Sequence, residues 1–144
     1  MDAKVELRQF RCIGDARGQL VALEALGEIV PFEVKRMYYI FDTRPGVDRG
    51  LHAHLNLKQM LICVSGACTV ECELPDGTKT SHRLDWPDKG LLIEGLVWRV
   101  MKDFSKDAVL VVLASEHYNE ADYIRDYGAF RRVCADIAKN EYSK

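Results

Sequence analysis

The chain has 144 residues, 20 Lys and Arg against 22 Asp and Glu, a formal charge of -2 at pH 7 and 48% hydrophobic residues. That length suits one domain able to bury a core without disulfides or a structural metal. There is no basic block for nucleic acid, no apolar run long enough for a membrane, and no apolar signal-peptide stretch in "MDAKVELRQF", so the expectation is a cytoplasmic protein that binds neither nucleic acid nor membrane.

In chain order, strand-like segments are "VELRQF" (5–10), "FEVKRMYYIFDT" (32–43), "KQMLICVSG" (58–66) and "CTVECEL" (68–74). They continue with "KTSHRLDW" (79–86), "GLLIEG" (90–95), "VWRVMKDF" (97–104) and "AVLVVLAS" (108–115). Turn chemistry separates them: "RPG", "SG", "PDG" and "PDKG". "LPDGTK" between two alternating stretches predicts a hairpin. Closely spaced strands with such turns predict a sandwich or small barrel. The apolar run of "AVLVVLAS" suggests burial on both faces, and with it a subunit contact.

From Asn119 the pattern changes. Tyr123, Tyr127, Phe130, Cys134 and Ile137 fall at helical spacing, with Asn119 as a cap and Asp122 three positions on. Gly128 interrupts the pattern. The expectation is one domain over 1–144, with a barrel at about 4–116 and a helical segment at about 119–141. The five cysteines, Cys12, Cys63, Cys68, Cys72 and Cys134, form no CxxC. Cys63, Cys68 and Cys72 sit among β-prone apolar residues and read as small buried hydrophobes, not as disulfide, zinc or nucleophile.

The stretch that carries chemistry is "RGLHAHLNLKQMLICVSG" (49–66). If 50–54 is extended, Leu51, Ala53 and Leu55 face one way and His52, His54 and Asn56 the other. Two imidazoles then share one space, as metal ligands, as acid–base groups or as a solvated strand face. His52, His54, position 59 and Gly66 are similar to the first motif of the cupin superfamily. Position 59 is Gln59, where the motif carries an acidic ligand. The stretch that would supply a third histidine reads "EGLVWRVM", with Trp98 and Arg99. A neutral amide and a cation are poor substitutes in a divalent-metal site, so no metal and no cofactor is expected. His82 should be exposed, and His117 should be structural at the strand-to-helix junction. Paired imidazoles suit proton transfer near neutral pH. Arg36, Arg49 and Arg99, with Gln59, suit a pocket for phosphate or enolate oxygens. The combination points to proton abstraction beside a carbonyl in a phosphorylated or nucleotide-linked substrate.

"PFEVKRMYYIFDTRPGVDRGLHAHLNLKQMLICVSG", "GLVWRVMKDF" and "VLVVLASEHYNEADYIRDY" resemble the dTDP-4-keto-6-deoxyglucose 3,4-ketoisomerases over about Asp15 to Tyr127. The resemblance implies a mainly β fold, the cupin double-stranded β-helix or jelly-roll barrel, with a C-terminal helical segment. It implies a homodimer without cofactor, acting on a dTDP-linked 4-keto-6-deoxy sugar in deoxyamino-sugar biosynthesis, as for lipopolysaccharide O-antigen. Carried over residue by residue, it makes His52 and His54 the acid–base pair. It places Arg17 of "DARG", Arg36, Tyr38 and Tyr39 of "VKRMYY" and Arg49 around the sugar and pyrophosphate, with Gln59 and Arg99 beside them. His52 is assigned the carbon proton and His54 the oxygen-to-oxygen transfer, an order that could be reversed. Leu55 departs from a common lysine and Arg99 from a common histidine. Arginine at 99 resembles a gluco-forming branch and Arg17 a galacto-forming one. Position 99 should lie nearer the reacting carbons, which favours gluco. The alternatives are a cupin 3,5-epimerase, which would pair a histidine with an aspartate that the sequence does not reveal, and a sugar-binding cupin without turnover.

Overall fold

A computed structural model describes residues 3–142; of the expected 1–144 domain, residues 1–2 and 143–144 lie outside it. Its strands are β1 (Lys4–Gln9), β2 (Ile13–Asp15), β3 (Gly18–Leu20), β4 (Arg36–Ile40), β5 (Arg49–His54) and β6 (Lys58–Ser65). They continue with β7 (Cys68–Glu73), β8 (Lys79–Leu84), β9 (Lys89–Glu94), β10 (Trp98–Lys102), β11 (Val109–Ala114) and β12 (Tyr123–Ile124), before helix α1 (Tyr127–Tyr142). Two five-stranded antiparallel sheets, ordered β1-β9-β6-β11-β4 and β12-β5-β10-β7-β8, form the jelly-roll barrel, and β2-β3 is a separate hairpin. The mainly β architecture with one C-terminal helix is the expected one.

The apolar runs are explained by burial. On β6, Leu61 and Cys63 join the core between the sheets, with Val70, Cys72, Leu91, Ile93, Leu110 and Val112. Met60 and Ile62, on the opposite face, pack with Leu92 of β9 against Phe10, Val30 and Phe32. Sheet buried on both faces reads as continuous apolar sequence. β11 differs from its expectation. It is a strand flanked by β6 and β4, with Leu110, Val112 and Ala114 buried but Val109, Val111 and Leu113 only half-buried. "LPDGTK" does turn β7 into β8: Gly77 N–H donates to Leu74 O (2.9 Å), Leu74 N–H to Thr78 O (2.9 Å), and Gly77 takes φ +91°, which favours glycine.

The helical segment begins later than 119. Asn119 does cap, its side chain accepting from Ala121 N–H, but it caps a 3-10 turn over Glu120–Asp122. Tyr123 and Ile124 then form β12 against His54 and Ala53. Asp126 Oδ2 accepts from Ala129 N–H (2.8 Å) at the true start of α1. Gly128 falls in the first turn of α1, not inside a longer helix. Phe130 and Cys134 of α1 are buried against Ala53 and Leu96, which clamps the helix onto β5.

Candidate active site

A local irregularity of β5 sets the phase of its histidines. Arg99 pairs with His52, and Val100 pairs with Gly50, so Leu51 is an extra residue in a bulge. Gly50 has φ +83° and Leu51 φ +54°. A Cβ at position 50 would stand 3.2 Å from the Arg99 carbonyl, so this bulge favours glycine. A leucine in the left-handed region costs about 1–2 kcal/mol. Past the bulge the two imidazoles turn inward, with His52 7% and His54 0% exposed. Their ring centroids are 4.8 Å apart and nearly perpendicular. Tyr123 of β12 packs on both, at 5.1 and 4.2 Å.

Two adjoining clefts meet here. One, of about 540 Å³, is lined by His52, Arg49, Tyr38 and Arg125. The other, of about 570 Å³, is lined by His54, Asn56, His117 and Asp122. Arg36, Tyr118 and Tyr123 belong to both. The Arg36 guanidinium lies 5.4 Å from the Tyr38 ring and 5.7 Å from the Tyr118 ring. Its buried Nε has no hydrogen-bond partner in this structure. Arg125 stacks 4.2 Å over Tyr123 and is held by a two-pronged ion pair to Glu120 (2.7 and 2.9 Å). That pair, with the Tyr118 hydroxyl donating to Glu120, pulls the Glu120 carboxyl down to about 2.

Arg99 and Gln59 occupy the barrel interior and line neither cleft. Arg99 is 0% exposed, lies across the sheet from His52 and donates to the Val97 carbonyl and to Gln59 Oε1. Gln59 in turn donates to the Tyr38 hydroxyl (3.0 Å). No ion pair to Arg99 occurs among the described residues, so its charge acts across the low-dielectric interior. Burial pushes His52 down to about 4 and His54 to about 2, and the Arg99 charge adds to both. Burial likewise lowers the Arg99 guanidinium and raises the Tyr38 phenol. Both imidazoles are therefore neutral at pH 7 and able to accept a proton. Neither nitrogen of His52 has a hydrogen-bond partner, nor has His54 Nε2.

The cupin metal does not fit this donor set. Gln59 is committed to Arg99, the position expected to supply a third ligand is that buried cation, and no group of three or more His, Cys, Asp or Glu among the described residues could hold a metal.

Two expected residues stand elsewhere. Arg17 lies on the β2-β3 hairpin, its side chain 91% exposed and paired to Asp15 (2.6 Å), because "DARG" is a two-residue turn that projects from the barrel. Tyr39 alternates away from Tyr38 along β4, is exposed and stacks on Phe41 at 5.9 Å. The structure adds Asp122, Tyr123, Tyr118 and Arg125. Of these, Asp122 matters most for the chemistry: His54 Nδ1 lies 3.2 Å from its Oδ2. A histidine–aspartate pair thus exists where the sequence revealed none, since 68 residues separate its members. His82 is half-buried and bonded to Thr80, while His117 is exposed on the cleft rim.

The family model FdtA, described as WxcM-like, C-terminal, matches residues 3–135. A TDP-4-oxo-6-deoxy-alpha-D-glucose-3,4-oxoisomerase of Aneurinibacillus thermoaerophilus is 47% identical over 129 residues, covering 89% of this chain and 91% of that protein. The WlaRB TDP-quinovose 3,4-ketoisomerase of Campylobacter jejuni superposes with a TM-score of 0.83 at 48% identity, covering 89% of this chain and 97% of that one. A histidine-to-asparagine mutant of the QdtA 3,4-ketoisomerase of Thermoanaerobacterium thermosaccharolyticum, in complex with TDP-4-keto-6-deoxyglucose, superposes with a TM-score of 0.87 at 40% identity, covering 92% and 94%.

Proposed function

The chain belongs to the FdtA family of sugar-nucleotide 3,4-ketoisomerases, and from that membership we propose that it moves the carbonyl of dTDP-4-keto-6-deoxy-D-glucose from C4 to C3 without a metal. The observation that carries this reading is the pair of neutral, buried imidazoles 4.8 Å apart beside a buried cation.

The 4-keto group acidifies the C3 hydrogen. His52, whose two nitrogens have no protein partner, takes that proton and leaves an enediolate. Negative charge develops on the C4 oxygen as it does so. The Arg99 charge stabilises it through the interior, more strongly than through water. Protonation at C4 and transfer of the C3 hydroxyl proton to the C4 oxygen complete the 3-keto sugar. His54 performs the second transfer, since the two oxygens are on adjacent carbons within reach of one nitrogen. No electrons enter or leave, so no redox cofactor is required. Each positioned proton transfer contributes about 10²–10⁴-fold.

Arg36 and Arg49 face the clefts as cations for the pyrophosphate, and Tyr38, Tyr118 and Tyr123 offer ring faces to sugar or base. The C4 configuration is gluco: the Campylobacter relative is named for quinovose, the 6-deoxy sugar of gluco configuration, and Arg99 rather than histidine lies opposite His52. The 3-keto product suits a following transamination, which supports a role in deoxyamino-sugar biosynthesis; the compartment proposed is the cytoplasm. No helix among the described residues is long and apolar enough to cross a membrane. The protein acts as a homodimer, supported by the exposed Met37, Tyr39 and Phe41 along the β4 edge.

The test is incubation with dTDP-4-keto-6-deoxyglucose in deuterated buffer after exhaustive chelation, with NMR of the sugar. The expected result is carbonyl migration with deuterium at C4. Exchange at C5 without migration would mark a 3,5-epimerase, and no exchange a binding protein. Activity lost to chelation and restored by one divalent ion would overturn the metal-free mechanism.

A further inference from the structure

We infer that Asp122 is a positioning residue for His54, holding the imidazole as the Nδ1–H tautomer so that Nε2 faces the reacting oxygens as a proton acceptor. The inference rests on the ketoisomerase reading and assigns a residue to it. The Asp122 carboxylate is anchored to the end of β5. Its Oδ1 accepts the Asn56 N–H (2.9 Å), its backbone carbonyl accepts the Leu55 N–H (3.1 Å), and its Oδ2 lies 3.2 Å from His54 Nδ1. The turn that carries it is fixed from the other side by the Asn119 cap and by pairing of Tyr123 with His54.

An ionised carboxylate accepts hydrogen bonds only, so the proton between these groups belongs to Nδ1. The lone pair is then on Nε2, the nitrogen that is buried without a partner. Two neighbours act on His54 in opposite senses. Arg99 resists a second proton on the ring, whereas the adjacent carboxylate stabilises one during its passage between the sugar oxygens. Asp122 therefore does two things: it selects the accepting nitrogen, and it supports the imidazolium formed for a moment on it.

The test replaces Asp122 with asparagine and reads the tautomer directly. Asn56 N–H still requires an acceptor, so the amide oxygen takes that contact and the amide nitrogen faces His54. The amide then donates to Nδ1, and the ring proton is driven to Nε2. Histidine-labelled protein examined by ¹⁵N NMR should show Nδ1–H at His54 in the wild type and Nε2–H in Asp122→Asn. In the same variant kcat should fall by about 100-fold or more, with KM within about threefold. The wild-type spectrum decides without any variant: an Nε2–H tautomer at His54 overturns the inference. So does an Asp122→Asn enzyme with wild-type kcat, or one changed in KM alone. A wild type that moves no carbonyl sinks the ketoisomerase reading instead, and the tautomer measurement is independent of turnover.

Discussion

At the scale of single residues, the site holds a charge in an unusual place. Arg99 carries its guanidinium at 0% exposure, and the two imidazoles nearby remain neutral because of burial and that charge. A neutral histidine is a base ready at pH 7, which makes His52 the sensitive position. His52→Asn retains polarity and rough size but cannot accept a proton. Turnover should fall at least 100-fold, within the usual range for a lost proton transfer, while calorimetric binding of the nucleotide sugar persists. Retention of more than about a tenth of the wild-type rate would exclude His52 as the essential base. Arg99 is tested by product, not by rate. Arginine stays protonated and is a poor acid, so the role proposed for Arg99 is to bias the enediolate through its buried charge, without delivering the C4 proton. Arg99→His should shift the product from gluco toward galacto, read from the C4–C5 proton coupling. The same epimer in the same proportion from both enzymes would remove Arg99 from control of the protonation face.

At the scale of elements, β5 is held from two sides. The Gly50–Leu51 bulge turns the histidines inward, and α1 covers the outer face of the strand through Phe130 and Ala53. Phe130 is wholly buried, so Phe130→Ala should cost about 3–5 kcal/mol in urea unfolding. A loss under about 1 kcal/mol would show that the helix contributes little to holding the strand. The segment between barrel and helix has its own task. Residues 119–126 bring Asp122 and Tyr123 onto His54 and pair Glu120 with Arg125 at the cleft mouth.

At the scale of the whole molecule, the buried histidines couple the fold to pH. Their folded pKa values, about 4 and about 2, lie below the ordinary value of 6.5. The unfolded chain therefore binds more protons below pH 6.5, and stability falls as pH drops from there toward 4. The slope is about 1.4 kcal/mol per pH unit for each histidine protonated only when unfolded. His82, also lowered by burial, adds to it. Urea unfolding between pH 7 and 5 should show this fall, and it should shrink in the His52→Asn, His54→Asn double variant; equal slopes would refute the assignment. The assembly is a second property at this scale. Light scattering should give a dimer of the 16.4 kDa chain, and a monomer at working concentration would sink the dimer proposal.

Much of this was legible in the residues themselves. Strands of the barrel announce themselves through apolar runs and "PDG"-type turns, because period-two packing and turn stereochemistry are local rules. The HxH pair was legible for the same reason: residues i and i+2 of a strand share a face. Asp122 was not. Its spacing from Asn119 suits a helix cap, and only the return of the chain onto β5 turns it toward a histidine 68 positions away. Tyr123 follows helical spacing yet lies in β12, because pairing with His54 outweighs local propensity. Arg17 shows the converse: its motif was visible, but the hairpin that carries it stands clear of both clefts. Sequence alone determined the fold class and the pairing of His52 with His54 on one strand. Tertiary structure decided which carboxylate lies against which imidazole and that Arg99 is sealed inside, since both depend on contacts between segments that the chain brings together only by closing the barrel.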